Sequence, residues 1–166
     1  MANNVNKEFE LYGPMKNWLQ QYLLGKFPSA QVQTMDTHAR TLDVYLEQAG
    51  IISEYPQTVG LDIQIDILGM VRQRHHTDLY FIEAKKKQLN LHDLGQLWAY
   101  CKLCDPREAV LLSSIGLGSL NKILNNLSRQ DLLGFGEGKV IKKMQIAKWD
   151  INRSSIDYNT LVPKLV

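Results

Sequence analysis

Residues 61–67 carry the pattern that most constrains how this chain can fold. In Leu-Asp-Ile-Gln-Ile-Asp-Ile every second residue is apolar, and this period of two predicts a β-strand with one apolar and one acidic face. A polar break at 75–78 separates it from an apolar run over 79–84, which fits a neighbouring strand. We therefore predict that the two segments pair as a β-hairpin.

The predicted hairpin brings three reactive side chains to one face of the sheet. Glu83 and Lys85 are two residues apart on a strand, so both point to the same side while Ala84 points into the core. Asp66 on the neighbouring strand joins them. Two carboxylates and the backbone carbonyl of Ala84 are oxygen ligands for Mg²⁺, and a nearby amine can position water and offset negative charge. This combination suits phosphodiester hydrolysis.

A simpler interpretation of the same residues is an acidic surface strand beside a lysine-rich turn. Against it, Glu83 ends an apolar run that should be buried. A carboxylate there is costly unless it is paired or bound to a metal. We therefore favour a functional site.

The composition is that of a single folded domain over residues 1–166. Hydrophobic residues make up 45% of the chain, and a formal net charge of +2 excludes both a histone-like basic protein and an acidic disordered chain. Residues 1–83 hold 6 basic and 10 acidic side chains, whereas residues 84–166 hold 13 and 7. No apolar stretch approaches the roughly 18 residues that span a bilayer, so we expect a cytoplasmic protein without a membrane segment. Cys101 and Cys104 are expected to be reduced core residues.

The other segments alternate between helical and strand patterns. Apolar residues at steps of three and four predict helices at 7–24, 37–50, 90–105 and 117–127. Shorter apolar runs predict strands at 30–35, 109–113 and 140–149. This order predicts an α/β fold with a mixed central sheet flanked by helices.

Three short motifs resemble those of the PD-(D/E)xK nuclease superfamily, and the resemblance extends over residues 8–112. The motifs are Asp66-Ile-Leu-Gly69, Phe81-Ile-Glu-Ala-Lys85 and Gln96-Leu-Trp-Ala-Tyr100. The resemblance implies the restriction endonuclease-like fold. It also implies that Asp66 and Glu83 bind a divalent metal and that Lys85 is the catalytic amine.

The resemblance also implies supporting residues for this site. An acidic residue of the first helix often joins it, and Glu10 is the preferred match, with Glu8 second. Gln96 and Tyr100, one helical turn apart, correspond to a helix found in several branches of the superfamily. Asp62 shares the predicted strand face with Asp66 and is the alternative ligand.

The chain departs from the superfamily pattern at one position and adds basic residues beyond it. Ile65 stands where the motif has its proline. Lys86 and Lys87 are expected to contact a phosphate backbone or solvent. A cluster of lysines near the C-terminus is a further phosphate track if the chain is a nuclease, and comprises Lys139, Lys142, Lys143 and Lys148.

These observations predict a Mg²⁺-dependent DNA endonuclease, with Mn²⁺ able to substitute, of the restriction type or of the repair and junction type. The compact size predicts a homodimer or a catalytic subunit that takes its specificity from a partner chain. The alternative is a non-catalytic nucleic-acid-binding or assembly subunit that retains the fold. A third hypothesis is a metal-independent hydrolase that uses His75 or His76, although a polar turn explains this pair more simply.

Overall fold

A computed structural model describes residues 5–138 and 140–164 and has one mixed sheet at its centre. The six strands lie side by side in chain order: β1 Gln31–Asp36, β2 Ile67–Arg72, β3 Thr77–Lys85, β4 Glu108–Ser113, β5 Gln145–Asp150 and β6 Ser155–Val162. Strands β1, β2 and β3 are antiparallel, β3, β4 and β5 are parallel, and β6 runs antiparallel to β5. The predicted α/β class with a mixed central sheet is confirmed.

Helices precede or connect these strands near the predicted positions. They are α1 Tyr12–Lys26, α2 Leu42–Gln48, α3 Leu91–Cys104 and the short α4 Ser119–Asn121, which continues as a π-helical turn over Lys122–Asn126. A 3₁₀ turn, Glu8–Leu11, leads into α1. Helix α2 starts five residues later than the predicted helix at 37–50. Among the described residues, no helix combines the length and the apolar composition needed to cross a membrane.

The start of α3 follows the signal in its sequence. The side chain of Asn90 accepts a hydrogen bond from the Asp93 backbone N–H, and the Asp93 carboxylate accepts one from the Asn90 N–H. This reciprocal capping box satisfies backbone donors that the first turn leaves unpaired. Helix α3 therefore begins at a fixed place directly after the lysine-rich end of β3.

Two apolar layers cover the two faces of the sheet. Helix α1 packs on the face that carries Tyr80, Ile82 and Ala84, whereas the layer that includes α3 packs on the face that carries Phe81. The predicted alternation along β3 is therefore confirmed. Glu83 lies on the α3 side of the sheet, at the end of a strand that is buried on both faces.

The strand predicted at 61–67 is wrong, because regular pairing begins only at Ile67. Ile63 and Ile65 are buried in the α3-side layer, but Ile67 belongs to the α1-side layer, so the period of two breaks between them. Hydrogen bonds to Thr37 explain the break. Its N–H donates to the carbonyl oxygen of Asp66 at 2.9 Å and its hydroxyl to that of Ile65 at 2.5 Å. These bonds hold the segment beside the residues that follow β1.

The C-terminal part of the sheet also differs from the prediction. The strand predicted at 140–149 begins only at Gln145, and β6 was not predicted. The pairing of β5 with β6 shifts register between Ile146 and Lys148. Strands β1 and β6 form the two edges of the sheet, and both carry several polar residues.

Helix α1 approaches the sheet closely at Gly69 of β2. A Cβ atom at this position would lie 2.9 Å from Leu23 Cδ1 and 3.2 Å from Tyr80 Cβ. A larger side chain would therefore push the helix away from the strand. The close packing fixes α1, and with it the N-terminal turn of the helix, against the β2–β3 hairpin.

Candidate active site at the end of the β2–β3 hairpin

Asp66 and Glu83 meet at one end of the hairpin. Ile67, the first residue of β2, pairs with Ile82 of β3, so Asp66 and Glu83 are the next residues outward from that pair. Oδ2 of Asp66 accepts a hydrogen bond of 2.8 Å from the Ala84 N–H. Both carboxylates are buried, with 9% of Asp66 and 6% of Glu83 exposed. The predicted pair is thus brought together even though the first strand was misplaced.

Lys85 supplies a positive charge next to these carboxylates. Its Nζ lies 3.8 Å from Oε1 of Glu83, and only 17% of the lysine side chain is exposed. This separation is long for a hydrogen bond, so the ammonium group attracts Glu83 mainly through charge. The other oxygen of Glu83, Oε2, is buried without a hydrogen-bond partner among the described residues. A buried carboxylate oxygen without a partner is costly, and a proton, a water or an ion can offset that cost.

The environment strongly disfavours a negative charge on Glu83. Burial raises the pKa of the Glu83 carboxyl most, the neighbouring charge of Asp66 raises it further, and the Lys85 ammonium acts in the opposite direction. The free protein therefore tends to keep a proton at this pair. A bound cation would favour the ionised form instead.

Tyr12, the first residue of α1, lies beside the site, although none of the three sequence motifs includes it. Its ring is 6% exposed. Burial raises the pKa of the Tyr12 hydroxyl most, and the nearby charge of Asp66 raises that pKa further. Tyr12 therefore lies near the aspartate predicted to bind metal. The sequence signal is its position in the same helical segment as the acidic residues, but tyrosine on an apolar helix face more often signals packing.

The two acidic residues of the N-terminal turn occupy different places. Oε2 of Glu8 accepts a hydrogen bond of 3.3 Å from the Lys86 N–H, directly after β3, and the charge of Glu8 contributes to the raised pKa of Tyr12. Glu10 is exposed and accepts a hydrogen bond of 3.3 Å from the Asn6 N–H. Glu8, and not the preferred Glu10, therefore lies beside the end of β3, and no hydrogen bond among the described residues joins either glutamate to Asp66 or Glu83.

Asp62, the alternative ligand, does not join the site. It is exposed and adopts a positive φ of 53° in the irregular segment before β2. Because this segment is not a strand, the two aspartates do not share a strand face. Asp66 is the aspartate that the structure brings to Glu83.

The two residues expected on helix α3 pair with each other. Nε2 of Gln96 donates a hydrogen bond of 3.2 Å to the hydroxyl of Tyr100, and Gln96 is exposed. This confirms that both lie on one helix face. Within the described residues, no hydrogen bond joins either of them to Asp66, Glu83 or Lys85.

Lys86 and Lys87 lie beside the site, whereas Lys142 and Lys143 do not. Lys86 is exposed, and Nζ of Lys87 forms an ion pair of 2.7 Å with the buried carboxylate of Asp93. Lys142 precedes β5 and pairs with Asp105 at 2.9 Å, close to the N-terminal end of β4. Because β3, β4 and β5 are parallel, Lys142 and Lys143 lie near the N-terminal ends of these strands, whereas Lys85 lies at the C-terminal end of β3.

Lys148, another lysine of the C-terminal cluster, lies in register with Lys85 across two neighbouring strand pairs. Lys85 pairs in register with Ser113 of β4, and Ser113 pairs with Lys148 of β5. The three residues therefore form a row across neighbouring strands, where strand spacing is about 4.8 Å. Two lysines, with one serine between them on the middle strand, therefore lie near the C-terminal ends of the parallel strands. Lys139, the fourth lysine of the cluster, lies outside the described residues.

The cysteines are buried and the histidine pair lies in a turn. Cys101 and Cys104 are free and buried, and burial raises the pKa of the Cys104 thiol to about 12. Neither thiol is set up as a nucleophile at neutral pH. His75 and His76 lie in the exposed turn between β2 and β3, at the opposite end of the hairpin from Glu83.

The residues present fit a hard divalent cation. Asp66 and Glu83 concentrate carboxylate oxygen atoms at one place, where Ala84 contributes its N–H to Asp66, and Oε2 of Glu83 has no hydrogen-bond partner within residues 5–138 and 140–164. No group of three histidine, cysteine, aspartate or glutamate side chains in these ranges is arranged to hold a metal ion. Mg²⁺ commonly uses only one or two protein carboxylates and keeps several waters, so a pair is chemically sufficient.

No protein-family description matches this chain, and searches of curated proteins and of solved structures found no significant match. Any functional assignment therefore depends on the chemistry of the site.

Proposed function

We propose that this protein is a Mg²⁺-dependent endonuclease that hydrolyses phosphodiester bonds in DNA. One observation carries the proposal: Asp66 and the buried Glu83 meet at the end of a hairpin with Lys85 beside them. Glu83 retains an unpartnered oxygen. On an ordinary surface strand these groups would remain in water, and no free energy would be spent on burying them. Here the cost is tolerated, as is common at functional sites.

Each side chain of the site has a defined task in the proposed reaction. Asp66 and Glu83 would hold Mg²⁺, which when bound lowers the pKa of water and neutralises charge on a phosphate. Lys85 orients the attacking water and stabilises the negative charge that develops on the phosphate oxygens. Tyr12, which lies near Asp66, would help to orient that carboxylate. The oxygen of water bonds to phosphorus, the P–O bond to the leaving strand breaks, and a proton from the water ends on the leaving oxygen, which gives a phosphate on one strand end and a hydroxyl on the other.

The same proposal assigns the sheet to the restriction endonuclease-like architecture. In support, helix α1 packs on the antiparallel β2–β3 hairpin, and the second strand of that hairpin also pairs in parallel with β4. The acidic pair lies where the hairpin meets this parallel part. We also propose that a homodimer, or a complex with a specificity subunit, is needed to cut both strands, and sedimentation velocity with and without duplex DNA measures this.

The test is incubation of the protein with supercoiled plasmid, linear duplex and branched DNA, each with Mg²⁺, Mn²⁺ or EDTA. We expect metal-dependent cleavage that Asp66→Asn and Lys85→Ala abolish. Asp62→Asn and Lys102→Ala are matched controls, because they change the same residue types at exposed positions outside the site. Wild-type protein that leaves all three substrates intact with both metals contradicts the proposal. Cleavage that survives EDTA favours the metal-independent hydrolase.

Metal titration separates the nuclease from the non-catalytic alternative. We expect calorimetry with Mn²⁺ to show binding in the wild-type protein and in Asp62→Asn, and none in Glu83→Gln. DNA binding without metal binding would favour a nucleic-acid-binding or assembly subunit. Because the titration needs no substrate, it is informative even if the preferred DNA is not among those tried.

A further inference from the structure

An amide-rich cleft lies on the α3 side of the sheet, between α4 with its π-helical turn and the second half of β6. Its volume is about 670 Å³, which is within the range of ligand-binding pockets. Polar side chains dominate its described lining, and those that carry amide or hydroxyl groups are Gln88, Asn121, Asn125, Gln130, Asn159 and Thr160. The concentration of amides is the feature that needs an explanation.

Three of these amides are linked in a chain. Nε2 of Gln130 donates to Oδ1 of Asn125 at 3.4 Å, and Nδ2 of Asn125 donates to Oδ1 of Asn121 at 2.8 Å. Each amide has two N–H donors and one carbonyl acceptor, so the chain leaves both N–H groups of Asn121 available to a ligand. The hydrogen bonds hold the amides in place before a ligand arrives. Less conformational entropy is then lost on binding.

The cleft begins near the C-terminal ends of the parallel strands, where the carboxylate site also lies. Gln88 lines it three residues after Lys85, and the loop that follows Ser113 forms its adjacent wall. The loop is fixed there: a Cβ atom on Gly118 would lie 2.4 Å from the Leu89 carbonyl oxygen, and the Leu89 N–H donates to the Gly116 carbonyl oxygen at 3.2 Å. A nucleic-acid strand that passes Lys85 would therefore lie beside a preformed polar surface.

The charge of the cleft identifies the kind of group that it suits. Lys164 is the single charged residue in the described lining, and no carboxylate is present there. A phosphate track would need several cations, and a metal site would need carboxylates. Paired donors and acceptors without charge match the edges of nucleobases, and asparagine or glutamine forms two hydrogen bonds with adenine.

We propose that this cleft reads base edges of the nucleic acid whose backbone passes Lys85, with Asn121 and Asn125 as specificity-determining residues. The inference rests on the proposed nuclease function for its ligand class. It adds a place where sequence preference arises, separate from the residues that hold metal.

The experiment is selection of bound molecules from randomised duplex and single-stranded DNA libraries, with Ca²⁺ in place of Mg²⁺, followed by sequencing. We expect the wild-type protein to enrich particular bases. The double variant N121A/N125A should reduce that enrichment by about 5- to 150-fold, because a bidentate amide–base contact discriminates by about 1–3 kcal/mol. Both side chains are exposed, and an unchanged unfolding temperature verifies that the variant folds. Asn17→Ala, an exposed amide on α1, is the matched control and should retain the wild-type preference.

Two results would overturn the inference: a wild-type protein that enriches no sequence, or a double variant that enriches the same bases to the same extent. Neither result affects the proposed function, which depends on plasmid cleavage with Mg²⁺. Conversely, a protein that cleaves nothing but loses its binding preference in N121A/N125A leaves the cleft as a base-reading site and removes the nuclease proposal.

Discussion

At the scale of single residues, the site is dominated by two carboxylates that the fold forces together. Asp66 is held by the Ala84 N–H, whereas Glu83 has one oxygen near Lys85 and one without a partner. This arrangement stabilises the protonated form of Glu83 in the free protein. In the absence of a cation, ionisation of both carboxylates in this buried place therefore reduces stability.

The Glu83→Gln variant should show this cost directly. Because burial and the charge of Asp66 raise the pKa of Glu83 above its ordinary value near 4.5, the folded chain binds a proton that the unfolded chain releases. Its contribution to stability is complete below that ordinary value and is lost as the pH rises through the folded pKa. We expect Glu83→Gln to raise the free energy of unfolding at pH 9 by at least about 1 kcal/mol, since one pKa unit corresponds to about 1.4 kcal/mol.

Urea unfolding of the metal-free protein between pH 4 and pH 9 measures this effect. Glu47→Gln, an exposed glutamate of α2, is the control and should follow the wild-type curve. Parallel wild-type and Glu83→Gln curves over this range would show that Glu83 titrates as an ordinary carboxyl.

Tyr12→Phe tests whether the tyrosine positions Asp66. The change removes one hydroxyl and keeps the ring in the core. Groups that orient a metal ligand typically affect metal affinity or activity by about 10- to 100-fold, and we expect a loss in this range. Calorimetric Mn²⁺ titration measures the affinity, with Tyr45→Phe on α2 as the control. Equal affinities for Tyr12→Phe and wild type would leave Tyr12 with a packing role alone.

At the scale of elements, local signals predicted the structure correctly where the determining contacts are also local. The capping box of α3 lies within four residues and followed from sequence. The sequence also predicted that two strands pair across a short polar turn, but β2 occupies 67–72 and not 61–67. The segment at 61–66 did not follow from sequence, because its path depends on hydrogen bonds to Thr37, far away in the chain. Similarly, Asp66, Glu83 and Lys85 could be found from spacing, whereas the contributions of Tyr12 and Glu8 depend on how α1 packs.

Asn90→Ala tests the capping box as an element-level determinant. Loss of an N-cap side chain typically costs about 0.5–2 kcal/mol, and we expect a decrease of about 1 kcal/mol in the free energy of unfolding. Urea denaturation measures it, and Asn126→Ala, an exposed asparagine in the π-helical turn, is the control. A decrease no larger than that of the control would mean that tertiary packing alone determines where α3 begins.

At the scale of the whole molecule, charge is organised by the parallel strands. Their C-terminal ends carry Lys85 and Lys148 in one row, while Lys142 and Lys143 lie at the opposite edge. The acidic first half and basic second half of the sequence therefore do not correspond to two faces of the protein. Residues from both halves meet at the C-terminal ends of the parallel strands: Asp66, Glu83, Lys85 and Lys148.

The salt dependence of DNA affinity distinguishes the two lysine positions. If Lys148 contacts a phosphate, Lys148→Gln should reduce the slope of log affinity against log salt by about 0.9, whereas K142Q/K143Q should leave it unchanged. Fluorescence anisotropy with a short duplex in Ca²⁺ measures both slopes. A reduced slope for K142Q/K143Q together with a wild-type slope for Lys148→Gln would place the DNA at the N-terminal ends of the parallel strands.

The two edge strands have a consequence for how copies of this chain can meet. Strand β1 carries polar residues such as Gln31 and Gln33, and the register shift in the β5–β6 pairing interrupts the ladder at the opposite edge. Polar edge strands and irregular pairing both discourage the addition of another strand. A dimer of this chain should therefore form through its helices or loops, and the sheets of the two copies should remain separate.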